Sequence, residues 1–266
     1  MIYDCFTFFN EFDTLEIRLE ELYPVVDKFV ICESTKTHSG RDKSLRYLEN
    51  IDRYKKYVDK IKYVVYNTFP KQYHSWILEA NQRRHLITGI DLTSLKDSDI
   101  IMVSDLDEIP RRSFVQNLKI DHLKNPEKYN QPITLGTQLY YNKLTYKVVE
   151  PEEFNNWRGT SIIAGHILKN NKDLHWYRYF KDSFMNMKNT GWHFSYLGDE
   201  AQIIEKIESF AHVEGDTPER KATVRKNIGK CVDLFERPEF KLQKVDLDDS
   251  YPELVKSNPE RFAHIV

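Results

Sequence analysis

Short apolar runs alternating with amphipathic helical stretches leave this chain few folds to adopt. The runs are Lys28 to Cys32, Ile61 to Tyr66, Ile100 to Val103 and Ile133 to Leu139. Each is bounded by charged or turn residues, the pattern of strands covered on both faces. Between them, Glu11 to Leu22 puts Leu15, Leu19 and Leu22 on one stripe with Phe12 nearby, and Tyr23-Pro24 stops the helix. Trp76 to Thr88 reads as a second helix, with Glu79, Arg83 and Arg84 among apolar residues. This order predicts a doubly wound α/β fold, a mostly parallel central sheet flanked by helices.

The second half is less regular. Aromatics and turn signals (Asn155-Asn156, Gly159, Gly165, Asn170-Asn171) crowd residues 140–198. Helices are expected over Glu200 to Phe210 and Thr217 to Phe235, and a charged tail from Arg237 is expected to wrap the surface. No repeat or linker divides the 266 residues, so one domain is predicted. A net charge of −2 gives no general basic character for nucleic acid. No apolar run reaches the roughly 18 residues of a membrane span, and the N-terminus lacks signal-peptide character. A cytoplasmic location is therefore expected, unless the chain is one trimmed of an anchor. The cysteines Cys5, Cys32 and Cys231 are odd in number and sparse, and Cys5 and Cys32 read as small core hydrophobes, not a disulfide framework or a zinc site.

The most informative stretch is Asp99 to Pro110. Four apolar residues lead to Ser104-Asp105-Leu106-Asp107-Glu108, so carboxylates appear at a strand's C-terminal end, where open α/β sheets bind ligands. Two close carboxylates repel unless a cation neutralises them. Hard oxygen ligands suit Mg²⁺ or Mn²⁺, which also take phosphate oxygens. Asp105 and Asp107 are the metal candidates; a solvated acidic turn before Pro110 is the plainer alternative. Glu33, Lys43, Arg83 and Arg84 are candidates for holding a nucleotide or diphosphate. His193, in Gly191-Trp192-His193-Phe194-Ser195, is a further metal candidate, with a satisfied core histidine as the alternative. Asp199 or Glu200 is a candidate general base; a first-turn helix acid explains Glu200 equally well.

Together with the segments Ile2 to Glu11 and Glu33-Ser34-Thr35, the Ser104–Pro110 and Gly191–Ser195 segments resemble glycosyltransferase family 17, in the same order from residue 2 to about 215. The resemblance implies a GT-A type fold, in which residues 1–139 form the nucleotide-sugar half and 140–266 an irregular acceptor-side half with its tail. It also implies an inverting transferase, a UDP-sugar donor with UDP-N-acetylglucosamine first, Mn²⁺ or Mg²⁺ at Asp105 and Asp107, and a glycan or glycoconjugate acceptor. In that mechanism Asp107 holds the metal directly, Asp105 meets the ribose or the metal through water, and Lys43, Arg83 or Arg84 neutralises the leaving UDP. Two rivals stand beside it. One is a phosphatase or phosphotransferase with Asp105 as nucleophile. The other is a carbohydrate-binding module using Trp157, Trp176 and Tyr177 as sugar platforms.

Overall fold

Strand β1 (Ile2–Phe8) is buried on both faces and lies between two parallel neighbours, β2 (Lys28–Ser34) and β4 (Ile100–Asp105), in this computed structural model of residues 1–266. β3 (Ile61–Tyr66) extends the parallel block beyond β2, giving the order β3-β2-β1-β4 of a doubly wound half. Past β4 the sheet becomes mixed. β8 (Trp157–Ala164) runs antiparallel to β4, followed by β6 (Ile133–Tyr141), β7 (Tyr146–Glu150) and β11 (Lys241–Lys244). Three shorter strands, β5 (Glu108–Pro110), β9 (Met185–Met187) and β10 (Gly191–Ser195), attach through β6. The α/β expectation therefore holds. Strand direction in the second half was beyond reach: β6 is buried on both faces yet pairs antiparallel with β8, and an apolar run carries no mark of direction.

The period-two alternation of the strands splits the core. Ile2, Phe6, Ile100 and Met102 face Leu15, Leu19 and Leu22 of α1 (Phe12–Leu22). Tyr3, Cys5, Ile101 and Val103 face Leu168, Leu174 and Tyr177 on the other side. The short helix α2 (Arg46–Glu49) follows β2, and α3 (Ser75–His85) covers the second face of the sheet with a 3₁₀ turn carrying Leu86. Helix α4 (Arg112–Lys124) was not foreseen. Its buried Val115, Leu118 and His122 keep helical spacing, but charged residues surround them and its first turn carries no acidic cap. α5 (Gly165–Asn170), α6 (Leu174–Tyr179), α7 (Glu200–Ser209), α8 (Pro218–Asn227) and α9 (Glu253–Ser257) complete the fold.

Two expectations need correction. The helix expected to reach Phe235 ends at Asn227, because Ile228 turns extended and Gly229 takes a positive φ. The C-terminal tail does not merely wrap the surface. β11 pairs with β7, and Tyr251, Val255, Phe262 and Ile265 pack with Ile17, Trp192 and Phe194 in a third apolar cluster. All three cysteines are free thiols; Cys5 and Cys32 are buried, and burial pushes both pKa values up. No helix is long and apolar enough to cross a membrane.

Candidate active site

β4 delivers the acidic loop by the same alternation that built the core. Ile101 and Val103 point to the α3 and α6 face, and so does Asp105; Met102 and Ser104 point to the α1 face. On that α1 face Arg18 is fully buried and uses every donor it has. Its Nε and Nη2 donate to the Asp4 carboxylate at 2.8 and 2.6 Å, and Nη2 also donates to Ser104 Oγ at 2.7 Å. Nη1 donates to the main-chain carbonyls of Asp105, Leu106 and Glu108 at 2.9 to 3.0 Å. One side chain thus fixes the backbone course of the loop, and Asp4 neutralises its charge where water cannot.

The loop's carboxylates are oriented by three different elements. Asp105 accepts from Arg83 Nη2 of α3 and Arg178 Nη2 of α6, each at 2.7 Å. Burial pushes its pKa up, but Arg178 and Arg83 overcome this and hold it well below the usual carboxylate range. Glu108 is buried, takes Arg178 Nη2 at 2.7 Å and Trp157 Nε1 at 2.8 Å, and its other oxygen accepts the Asp105 amide at 3.1 Å. Asp107 sits between His193 Nε2 at 3.5 Å and Lys206 Nζ at 3.4 Å. Burial works against its charged form, yet Lys206 and then His193 hold its pKa down at about 2. Register places His193 opposite Glu108 across the β10–β5 pair. That approach requires Gly191, since a Cβ there would lie 2.1 Å from the Ile109 carbonyl oxygen.

These groups open on one cavity of about 240 Å³ at the C-terminal ends of β1, β2 and β4. Phe8, Phe9 and Glu11 come from the first strand's end, Lys36, His38 and Lys43 from the loop after β2, Glu79 and Gln82 from α3, and Lys206 from α7. His38 donates to or accepts from Gln82 at 2.8 Å, and its burial lowers its pKa. Lys206 also meets Glu11 at 3.1 Å; burial opposes its charge, but Glu11 and Asp107 raise its pKa.

Asp105, Asp107, His193, Lys43 and Arg83 therefore share one cavity wall. Others do not. Glu33 is fully buried and answers Lys43 Nζ, the amides of Arg46 and Tyr47, and the Tyr63 hydroxyl, so it organises the β2 loop and leaves no oxygen for a ligand. Arg84 turns outward to Asp173 and Asn81. Asp199 is the N-cap of α7, in a capping box with Gln202, and Glu200 pairs with Arg225 on the outer side. Asp199 thus sits as an N-cap and Glu200 as a first-turn acid, and neither lines the cavity. Sequence reading missed Arg18, Arg178, Lys206 and Glu11, because no local spacing marks partners a hundred residues apart. Asp107 and His193 are the side chains best placed to hold a divalent cation. No group of three or more His, Cys, Asp or Glu side chains forms a complete protein cage.

The model of Glycosyltransferase family 17 matches residues 1–241. The chain belongs to glycosyltransferase family 17. Among its relatives, the β-1,4-mannosyl-glycoprotein 4-β-N-acetylglucosaminyltransferases of Homo sapiens and Rattus norvegicus are each 35% identical to this family 17 chain over 117 residues. The match covers 42% of this chain and 22% of each relative, so it spans about a fifth of their length. Among solved structures, glucosyl-3-phosphoglycerate synthase of Mycobacterium tuberculosis in complex with Mn²⁺, uridine-diphosphate and glucosyl-3-phosphoglycerate is similar with a TM-score of 0.42 and 14% identity. It covers 96% of this chain and 91% of its own. Mannose-6-phosphate isomerase from Helicobacter pylori is similar with a TM-score of 0.35 and 11% identity, covering 64% and 72%. Both likenesses are distant.

Proposed function

We propose that this family 17 chain is a metal-dependent inverting glycosyltransferase that moves a sugar, N-acetylglucosamine first, from a UDP-sugar to a glycan acceptor. One observation carries the reading: Asp105 and Asp107 stand at the C-terminal end of a parallel strand and face a cavity that also holds His193, Lys43 and Lys206. The relatives' name supports the choice of sugar.

The residues present suit a divalent ion. Asp107 Oδ1 and His193 Nε2 are 3.5 Å apart, and the buried Nδ1 of His193 has no hydrogen-bond partner. A carboxylate with an imidazole suits Mn²⁺, and a small protein ligand set is usual where substrate phosphates complete the shell. When bound, such an ion supplies neutralising charge to a diphosphate leaving group. Lys206 and Lys43 add positive charge at the same wall. Asp105, clamped by two arginines and only about a third exposed (37%), is a rigid acceptor for a ribose hydroxyl. Inversion needs one displacement: the acceptor oxygen bonds to the anomeric carbon as that carbon's bond to the diphosphate oxygen breaks and UDP departs. The acceptor proton passes to a cavity carboxylate, for which Glu79 and Glu11 replace Asp199 and Glu200.

The phosphatase rival is disfavoured by Asp105 itself, since each of its oxygens is held by an arginine and neither is free to attack. A panel of UDP-sugars with glycan acceptors, read by UDP release in Mn²⁺, tests the proposal. Release is expected to be greatest with UDP-N-acetylglucosamine. No UDP release from any donor would end the reading.

A further inference from the structure

Helix α6 has two faces. Leu174, Tyr177 and Arg178 point inward, and Arg178 reaches Asp105 and Glu108. His175, Trp176 and Tyr179 point the other way, and the chain after the helix adds Phe180 and Phe184. Tyr179 is 69% exposed, Phe180 40% and Trp176 39%, unusual for large aromatic rings, which are mostly sheltered. The rings form a continuous strip: His175 to Tyr179 at 5.9 Å, Tyr179 to Phe180 at 5.0 Å, Phe180 to Trp176 at 5.0 Å and Trp176 to Phe184 at 5.9 Å between centroids.

The strip begins at the candidate site. His175 Nδ1 lies 3.4 Å from Arg83 Nη1, and Arg83 is the arginine that holds Asp105. A second link runs through Lys181, whose ammonium lies 4.7 Å from the ring of Trp157, and Trp157 lines the cavity. We infer that the His175–Tyr179–Phe180–Trp176–Phe184 strip is the platform on which an oligosaccharide acceptor lies as its end enters the cavity. The inference rests on the glycosyltransferase reading of that cavity.

The chemistry of the strip selects a glycan. It is aromatic rather than aliphatic, and a pyranose offers an apolar face of C–H bonds to a ring while its edges carry hydroxyls. Trp and Tyr pair an apolar body with a polar tip, which suits such a ligand. Consecutive centroids lie 5.0 to 5.9 Å apart with planes inclined by 42 to 79°, so the strip offers alternating ring faces and edges along its length rather than one flat wall. Tyr177, the third aromatic of this segment, takes no part, because it is buried with its hydroxyl donated to the Asn171 carbonyl.

The test uses the full chain, wild type, Trp176→Ala/Tyr179→Ala and Trp176→Phe/Tyr179→Phe. Binding is read on an array of mannose- and N-acetylglucosamine-terminated oligosaccharides and the matching monosaccharides, with UDP titrated separately in Mn²⁺. Wild type is expected to bind oligosaccharides more tightly than monosaccharides. The alanine pair is expected to lose about tenfold or more in that binding, as loss of stacking at two rings implies, and the phenylalanine pair to keep most of it. UDP affinity is expected to stay within about twofold in all three, since neither ring contacts the cavity. Equal oligosaccharide binding by wild type and the alanine pair, or no binding by wild type, overturns the platform. So does a strip-dependent affinity for phosphatidylcholine–phosphatidylglycerol vesicles without oligosaccharide binding. Failure of wild type to bind UDP would instead strike the glycosyltransferase reading itself.

Discussion

At the scale of single residues, charge placement separates the roles. Asp105 is immobilised by Arg83 and Arg178, while Asp107 is bordered by one lysine and one histidine, neither closer than 3.4 Å. The two acids of one motif are therefore held differently, Asp105 by two close guanidinium contacts and Asp107 by two longer ones. Glu79→Gln and Glu11→Gln separate the two base candidates. The true base variant is expected to lose about 10²- to 10⁴-fold in turnover while UDP binding persists, and the other to lose far less, as read by single-turnover transfer. Lys181 gives a pH prediction. Burial, then the nearby Arg178, brings its pKa down to about 8 from the ordinary lysine value of 10.5. With the folded-state value below the unfolded one, the unfolded chain binds more protons between pH 8 and 10.5, so stability rises across that window. Denaturant unfolding should show wild type gaining stability over that range relative to Lys181→Met; a parallel pH course for the two proteins would refute it.

At the scale of elements, the site is a junction of α3, α6, α7 and β10 on the loop after β4. Arg178 is the tightest joint, since one guanidinium serves both Asp105 and the buried Glu108. Arg178→Met leaves Glu108 with Trp157 and a backbone amide but no cation. A loss of about 3–5 kcal/mol in unfolding free energy is expected, partly recovered in Arg178→Met/Glu108→Gln. A double-mutant cycle showing additivity would contradict the coupling. The elements also show what a sequence can and cannot reveal. β2, β3, β4, β6, α1 and the placement of Asp105 and Asp107 were legible, because apolar periodicity and a sharp change to acids are local signals. The helix α4 was not, since only Val115, Leu118 and His122 form its buried stripe while Ile120 and Leu123 face outward and blur the period. Asp199 and Glu200 lie at a helix start outside the cavity lining, and in sequence an acid there looks the same whether it caps or catalyses. Arg18 and Lys206 were invisible, since only the folded chain brings them to the loop.

At the scale of the whole molecule, the C-terminal segment supports the site from behind. Phe262 is fully buried, and it joins Trp192 and Phe194, which flank His193 on β10. Phe262→Ala is expected to cost about 3–5 kcal/mol and to weaken Mn²⁺-dependent UDP binding, although Phe262 does not line the cavity. Unchanged binding in a folded variant would uncouple the tail from the site. The central claim is that the Asp107–His193 corner binds a divalent ion together with the nucleotide of a UDP-sugar. Calorimetric titration of UDP into wild type and Asp107→Asn, each with and without Mn²⁺, tests it most directly. The account predicts tight UDP binding by wild type only when Mn²⁺ is present, and a loss of that Mn²⁺ dependence in Asp107→Asn. UDP binding by wild type that is equally tight without Mn²⁺, or a full Mn²⁺ effect in Asp107→Asn, would contradict it.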